Sequence, residues 1–92
     1  MNHRLKNGFG MVSNTVLRNS ELTLGEKALY SYLCTYADST SNELFVSVNK
    51  IASECNIGVS TVKRYIQSLE THKVIIRIPR GYGMSKITKI LI

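Results

Sequence analysis

Ser47–Lys73, SVNKIASECNIGVSTVKRYIQSLETHK, decides how the chain is read. Apolar residues recur at helical spacing in two short runs. Val48, Ile51, Ala52 and Cys55 fall on one face of the first, and Val62, Tyr65, Ile66 and Leu69 on one face of the second. Ser47 is placed to cap the first helix and Ser60 the second, because a serine hydroxyl accepts from the free N–H groups of an opening turn. The link NIGV holds Asn56 and Gly58, two residues that tolerate a left-handed backbone where most side chains clash.

Two amphipathic helices closed by a three- or four-residue turn form a helix-turn-helix motif. At about 100° per residue, the apolar stripe of the second helix leaves Ser60, Arg64, Gln67 and Thr71 nearly opposite it, with Thr61, Lys63 and Ser68 on the flanks. This outward set has donors, acceptors and cations, and Glu70 lies to the side. Arg pairs with guanine edges and Gln with adenine, while Ser, Thr and Lys reach phosphates, so the face suits a major groove. On an isolated helix such a face would be read simply as solvated; the charge distribution argues for more.

Of a net charge of +6, none resides in residues 1–59, which hold five cations and five anions. Residues 60–92 hold Lys63, Arg64, Lys73, Arg77, Arg80, Lys86 and Lys89 against Glu70 alone. The positive excess begins at the second helix of the motif, and a polyanion is the partner this implies, because neutralising phosphates releases counterions. An acidic membrane surface is the rival partner, but no basic amphipathic helix with a large aromatic face supports it. The longest apolar runs are far too short to span a bilayer, and the N-terminus has no apolar signal region. A cytoplasmic location is expected.

Outward from the motif, Thr23-Leu24-Gly25-Glu26 is a capping box. It opens a helix expected to run to about Asp38, with Leu24, Ala28, Leu29, Leu33, Tyr36 and Ala37 inward and Tyr32 beside them. Ser13 is placed to cap a one- or two-turn helix holding Val16 and Leu17. Met1–Gly8 is expected as a flexible basic arm, from which Arg4 and Lys6 could follow phosphates, and residues 9–92 are expected to form one domain. Glu43–Val46 is a short β-prone run, while Val74–Ile78 and Ile87–Ile92 flank a Gly-containing loop as an antiparallel hairpin, to which ELFV can add a third strand. Arg80, Tyr82 and Lys86 at the hairpin tip, with Arg77 below, form a candidate wing contacting phosphates or a minor groove. Cys34 and Cys55 are expected as buried reduced thiols; with His3 and His72 they make no zinc spacing. No catalytic constellation is present: there is no phosphate loop, no HExxH and no supported nucleophile–base pair. Neither enzyme activity, a cofactor nor a small-molecule substrate is expected.

The order helix, strand, helix, turn, helix, hairpin describes an α+β winged helix-turn-helix: a three-helix core, a C-terminal hairpin wing and a short strand before the second core helix. LTLGEKALYSYLCTYA (residues 22–37) and LFVSVNKIASECNIGVSTVKRYIQSLETHKVI (residues 44–75) resemble the N-terminal winged-helix domains of plasmid and phage replication initiators and replisome organisers. The shared features are Leu22 before Glu26-Lys27, Ser47 before Ile51-Ala52, and Ser60-Thr61-Val62 with Arg64, Ile66 and Leu69-Glu70. The resemblance implies recognition of an origin or operator in double-stranded DNA, and since DNA readers commonly pair on repeated half-sites, a homodimer is compatible with it. Arg64 and Gln67 would read bases, and Lys50, Ser60, Thr61 and Lys63 would hold phosphates, with the wing alongside. Such domains commonly have glycine where Lys73 stands, so a differently shaped helix exit is expected here; larger initiators continue into a second domain. Two alternatives keep the fold: a transcriptional regulator using the same interface, and a protein-interaction scaffold with Ile90, Leu91 and Ile92 as an exposed apolar edge.

Overall fold

The structure is a computed structural model that describes residues 11–84 and 86–92. The basic arm, Arg4 and Lys6 lie outside them. Four helices, α1 (Asn14–Leu17), α2 (Leu24–Cys34), α3 (Val48–Cys55) and α4 (Val59–Thr71), combine with three strands, β1 (Glu43–Leu44), β2 (Ile75–Ile78) and β3 (Ile87–Ile90). The strands form an antiparallel sheet in the order β1-β3-β2. The fold is a small α+β winged helix-turn-helix, as expected.

Helix α2 starts where the sequence indicates. The Thr23 hydroxyl accepts from the Glu26 N–H at 3.2 Å, and the Glu26 carboxylate accepts from the Thr23 N–H at 2.6 Å. It ends four residues early: the Thr35 and Tyr36 N–H groups donate to the Tyr32 and Leu33 carbonyls in tight i→i−3 bonds (both 3.0 Å), the Thr35 hydroxyl also donates to the Tyr32 carbonyl at 2.6 Å, and the Asp38 N–H leaves for the Glu43 carbonyl at 2.9 Å. The buried face is also rotated from the expected one. Leu29, Tyr30, Leu33 and Cys34 are buried, whereas Leu24 is 83% exposed and Ala28 and Tyr36 face solvent. Tyr30 explains the shift, since its hydroxyl accepts from the Ser13 N–H (2.8 Å) and donates to the Ile92 carbonyl (3.0 Å). A buried phenol with both partners met ties the two ends of the described chain to α2. Ser13 does precede α1, but its side chain makes no cap bond.

In the motif, Ile51 and Ala52 of α3 and Val62, Ile66 and Leu69 of α4 are buried, and Val48, Cys55 and Tyr65 pack at the margin. The Ser47 hydroxyl caps α3 by accepting from the Lys50 N–H at 3.1 Å. Asn56 takes the left-handed conformation (φ 56°) expected of the turn, but Gly58 does not. Gly58 is extended (φ −70°, ψ 151°) and is itself the N-cap of α4, so Ser60 lies within the first turn rather than capping it. A close approach fixes Gly25 instead: a Cβ there would stand 2.5 Å from the Tyr65 hydroxyl oxygen and 2.7 Å from the ring, so its absence lets α2 and α4 meet.

Helix α4 ends in a Schellman motif. The Val74 N–H donates to the Leu69 carbonyl (2.9 Å) and the Lys73 N–H to that of Glu70 (3.0 Å), with Lys73 at φ 59°. The exit therefore has the shape a glycine would give, contrary to expectation, and a lysine bears the left-handed conformation. Val74 and Leu69, both buried, close the motif and deliver the chain into β2.

Leu44, Ile75 and Ile90 turn to the helices, with Thr88 buried beside them. Ile90 is therefore core, a correction to its expected place on an exposed edge; Leu91 and Ile92 are exposed.

Candidate nucleic-acid interface

Helix α4 is held on its apolar side by Val62, Ile66 and Leu69, and this fixes what it presents outward. Ser60, Lys63, Arg64, Gln67, Glu70 and Thr71 are exposed, while Thr61 and Ser68 are half-buried. The outward set expected from periodicity, Ser60, Arg64, Gln67 and Thr71, is thus exposed on one surface, and of the expected flanks Lys63 is exposed while Thr61 and Ser68 are partly withdrawn. Thr71 spends its hydroxyl proton on the Gln67 carbonyl at 2.9 Å and keeps only acceptor capacity for a partner. Val59, in the first turn and partly exposed, joins this surface unforeseen, because an apolar residue next to a buried stripe reads as core.

Three cations of the basic half and its margin rest on aromatic rings. The Arg64 guanidinium lies 5.9 Å from the Tyr65 ring centroid, Lys50 Nζ 5.2 Å from that of Tyr36, and the Arg80 guanidinium 4.9 Å from that of Phe45. A ring face attracts a cation without neutralising it. Arg64 is thereby leaned against α2, since Tyr65 itself packs over Gly25. Phe45, half exposed just past β1, anchors the root of the wing.

Arg77 parts company with the other wing residues. It pairs with Thr88 in mid-strand on the face that Ile75 turns to the helices, is half-buried, and has its Nε buried without a hydrogen-bond partner. Arg80, Tyr82 and Lys86 lie beyond the strand ends and are exposed.

A polar cluster absent from the sequence reading sits between α2 and α3. The hydroxyls of Tyr32 and Tyr36 both donate to one oxygen of Glu54, Tyr36 at 2.5 Å, with the rings edge to face at 5.4 Å. These bonds, Tyr32 first, hold the Glu54 carboxyl below the ordinary range, with the Lys50 charge helping; burial and then the Glu54 bond push the Tyr32 phenol up. The i, i+4 spacing of the tyrosines was visible, but their meeting with a glutamate 18 positions beyond Tyr36 was not.

Cys34 is buried and Cys55 half-buried, both as free thiols, and burial raises both pKa values, which suppresses the reactive thiolate. Among the described residues no cluster of three or more His, Cys, Asp or Glu could hold a metal, and no helix is long and apolar enough to cross a membrane. A hollow of about 510 Å³ lined by Tyr30, Cys34, Asp38, Asn42 and Ile90 among others takes no residue from α4 or the hairpin tip.

The model of a helix-turn-helix domain family matches residues 20–75, more than half of the chain and all of α2, β1, α3 and α4. The chain belongs to that helix-turn-helix family. No curated protein and no solved structure matches it. The family match stops at Ile75, so the wing of this helix-turn-helix protein rests on the structure: β2 and β3 are paired from Ile75–Ile90 to Ile78–Ile87.

Proposed function

We propose that this helix-turn-helix protein binds double-stranded DNA sequence-specifically, with α4 in the major groove and the wing on the flanking backbone or minor groove. The observation that carries the reading is the outward face of α4, where Lys63, Arg64 and Gln67 stand exposed beside Ser60. Arg64 and Gln67 can make bidentate bonds to guanine and adenine. Lys63, Ser60 and the exposed edge of Thr61 reach phosphates, as does Lys50 from the first turn of α3, and Thr71 adds an acceptor. Arg80, Tyr82 and Lys86 form the wing contact, which Arg77 supports from behind. The excess of +6 carried by residues 60–92 supports a phosphate backbone as partner.

The resemblance to plasmid and phage initiators supports an origin or operator as target, and DNA readers commonly pair as copies on repeated half-sites, here in the cytoplasm. A transcriptional regulator would use the same surface. The exposed Leu91 and Ile92 are what a protein-interaction scaffold would use instead.

The test is selection of bound fragments from source DNA at two salt concentrations, followed by variants. Recovery of one repeated site near a replication gene supports the initiator reading, and enrichment upstream of other genes supports a regulator. Arg64→Ala should weaken the selected site by ~1–3 kcal/mol and relax preference at one base pair. Lys86→Ala should weaken all duplexes alike and lower the salt slope by about one. Recovery of no DNA, with stable oligomers in solution, would sink the DNA reading and leave the scaffold.

A further inference from the structure

We infer that the wing tip is a wedge: Tyr82, with Met84 at the end of the same turn, enters the DNA and unstacks a base step, so that the protein distorts its site as well as reading it. This rests on the DNA-binding reading above and goes beyond it, because phosphate contact and base readout by α4 require no distortion.

The tip is built to hold a ring out. The Met84 N–H donates to the Gly81 carbonyl at 3.2 Å, closing a turn with Tyr82 and Gly83 at its two corners. Gly83 has φ 77°, the conformation a type II turn demands at that corner, and Gly81 has φ 140°. A Cβ on either glycine would meet nothing within 4 Å, so backbone shape, not space, is what these positions require. That shape leaves Tyr82 106% exposed and Met84 56% exposed, two large side chains outside the buried core.

Charge surrounds them. Arg80 and Lys86 stand on either side of the turn, with Arg80 fixed over Phe45 at the root. A hairpin that only touched phosphates would be served by its cations. An apolar tip between cations matches proteins that anchor on the backbone and push an apolar side chain between base pairs. Aromatic rings stack on any base, so the tip requires no particular sequence but favours steps that unstack easily, TA and CA/TG. The selected site should carry such a step on the flank beneath the wing.

The experiment uses the full chain and the tightest duplex recovered from a random-sequence pool, with 2-aminopurine replacing its adenines one at a time. Wild type should raise the fluorescence at one or two adjoining positions on the wing flank. Tyr82→Ala should abolish that rise and weaken binding roughly tenfold, and Tyr82→Phe should restore both. Tyr82→Lys adds a cation without a stacking ring; it should recover affinity but not the fluorescence rise. Because Tyr82 is fully exposed, none of these variants threatens the fold. If wild type retains no duplex, the DNA-binding reading itself fails. If wild type binds and no position brightens, or if the rise survives in Tyr82→Ala, the wedge is overturned while DNA binding stands.

Discussion

Lys73 offers the sharpest test of how the fold closes. It is the residue after α4, it sits at φ 59°, and its neighbours on both sides are committed: Leu69 and Glu70 accept the Schellman bonds, and Val74 is buried. The chain cannot relax there without moving α4 or β2. A left-handed conformation costs an L-residue about 1–2 kcal/mol relative to glycine. Glycine loses more backbone freedom on folding, about 0.5–1 kcal/mol, which offsets part of the gain. Lys73→Gly should therefore stabilise the domain by ~1 kcal/mol, and in a chain of this size ~1 kcal/mol raises Tm by about 4–8 °C. Lys73→Ala removes the same charge and keeps the strain, so the difference between the two variants isolates the backbone. Urea denaturation of wild type, Lys73→Gly, Lys73→Ala and Lys73→Asn should rank glycine first and asparagine between glycine and alanine. If Lys73→Gly is no more stable than Lys73→Ala, the helix exit is not left-handed as described and the argument fails.

Leu69 is fully buried at the same junction, and Leu69→Ala should cost ~2–5 kcal/mol in denaturation, against little change for the exposed Leu24→Ala. The latter would have been costly had the expected face of α2 been right. Gly25→Ala improves helix propensity by about 1 kcal/mol but drives a methyl into Tyr65, so it should destabilise wild type and stabilise a Tyr65→Ala background, as read by Tm. Glu26 is held below the usual carboxyl value of 4.5, first by the Ser68 hydroxyl and then by the Thr23 N–H. A depressed folded pKa gives stability that is fully present above the unfolded value and is lost as pH falls through the folded one. Tm should therefore drop as pH goes below 4.5, and Glu26→Gln should lower the plateau above that pH while flattening the fall beneath it.

The helix starts at Thr23 and Ser47, the left-handed Asn56 and the stripe of α4 depend on hydrogen bonds and spacings within about one turn. They were legible in the sequence for that reason. Charge was legible too, because the rise to +6 after residue 59 is a property of order along the chain. Tertiary structure decided what depends on partners far away. Tyr30 is core because Ser13 and Ile92 come to its hydroxyl, and no periodicity reports a satisfied phenol. Glu43–Leu44 is a strand because Lys89 and Thr88 lie opposite it; two residues have too few bonds to be one alone. Lys73 is left-handed because Leu69 of α4 and Ile75 of β2, both buried, fix the path between them. The cations followed the same rule. Sequence placed Lys50, Arg64 and Arg80 in the basic set, but only packing set them on Tyr36, Tyr65 and Phe45, since a flexible side chain settles where the fold has brought a ring.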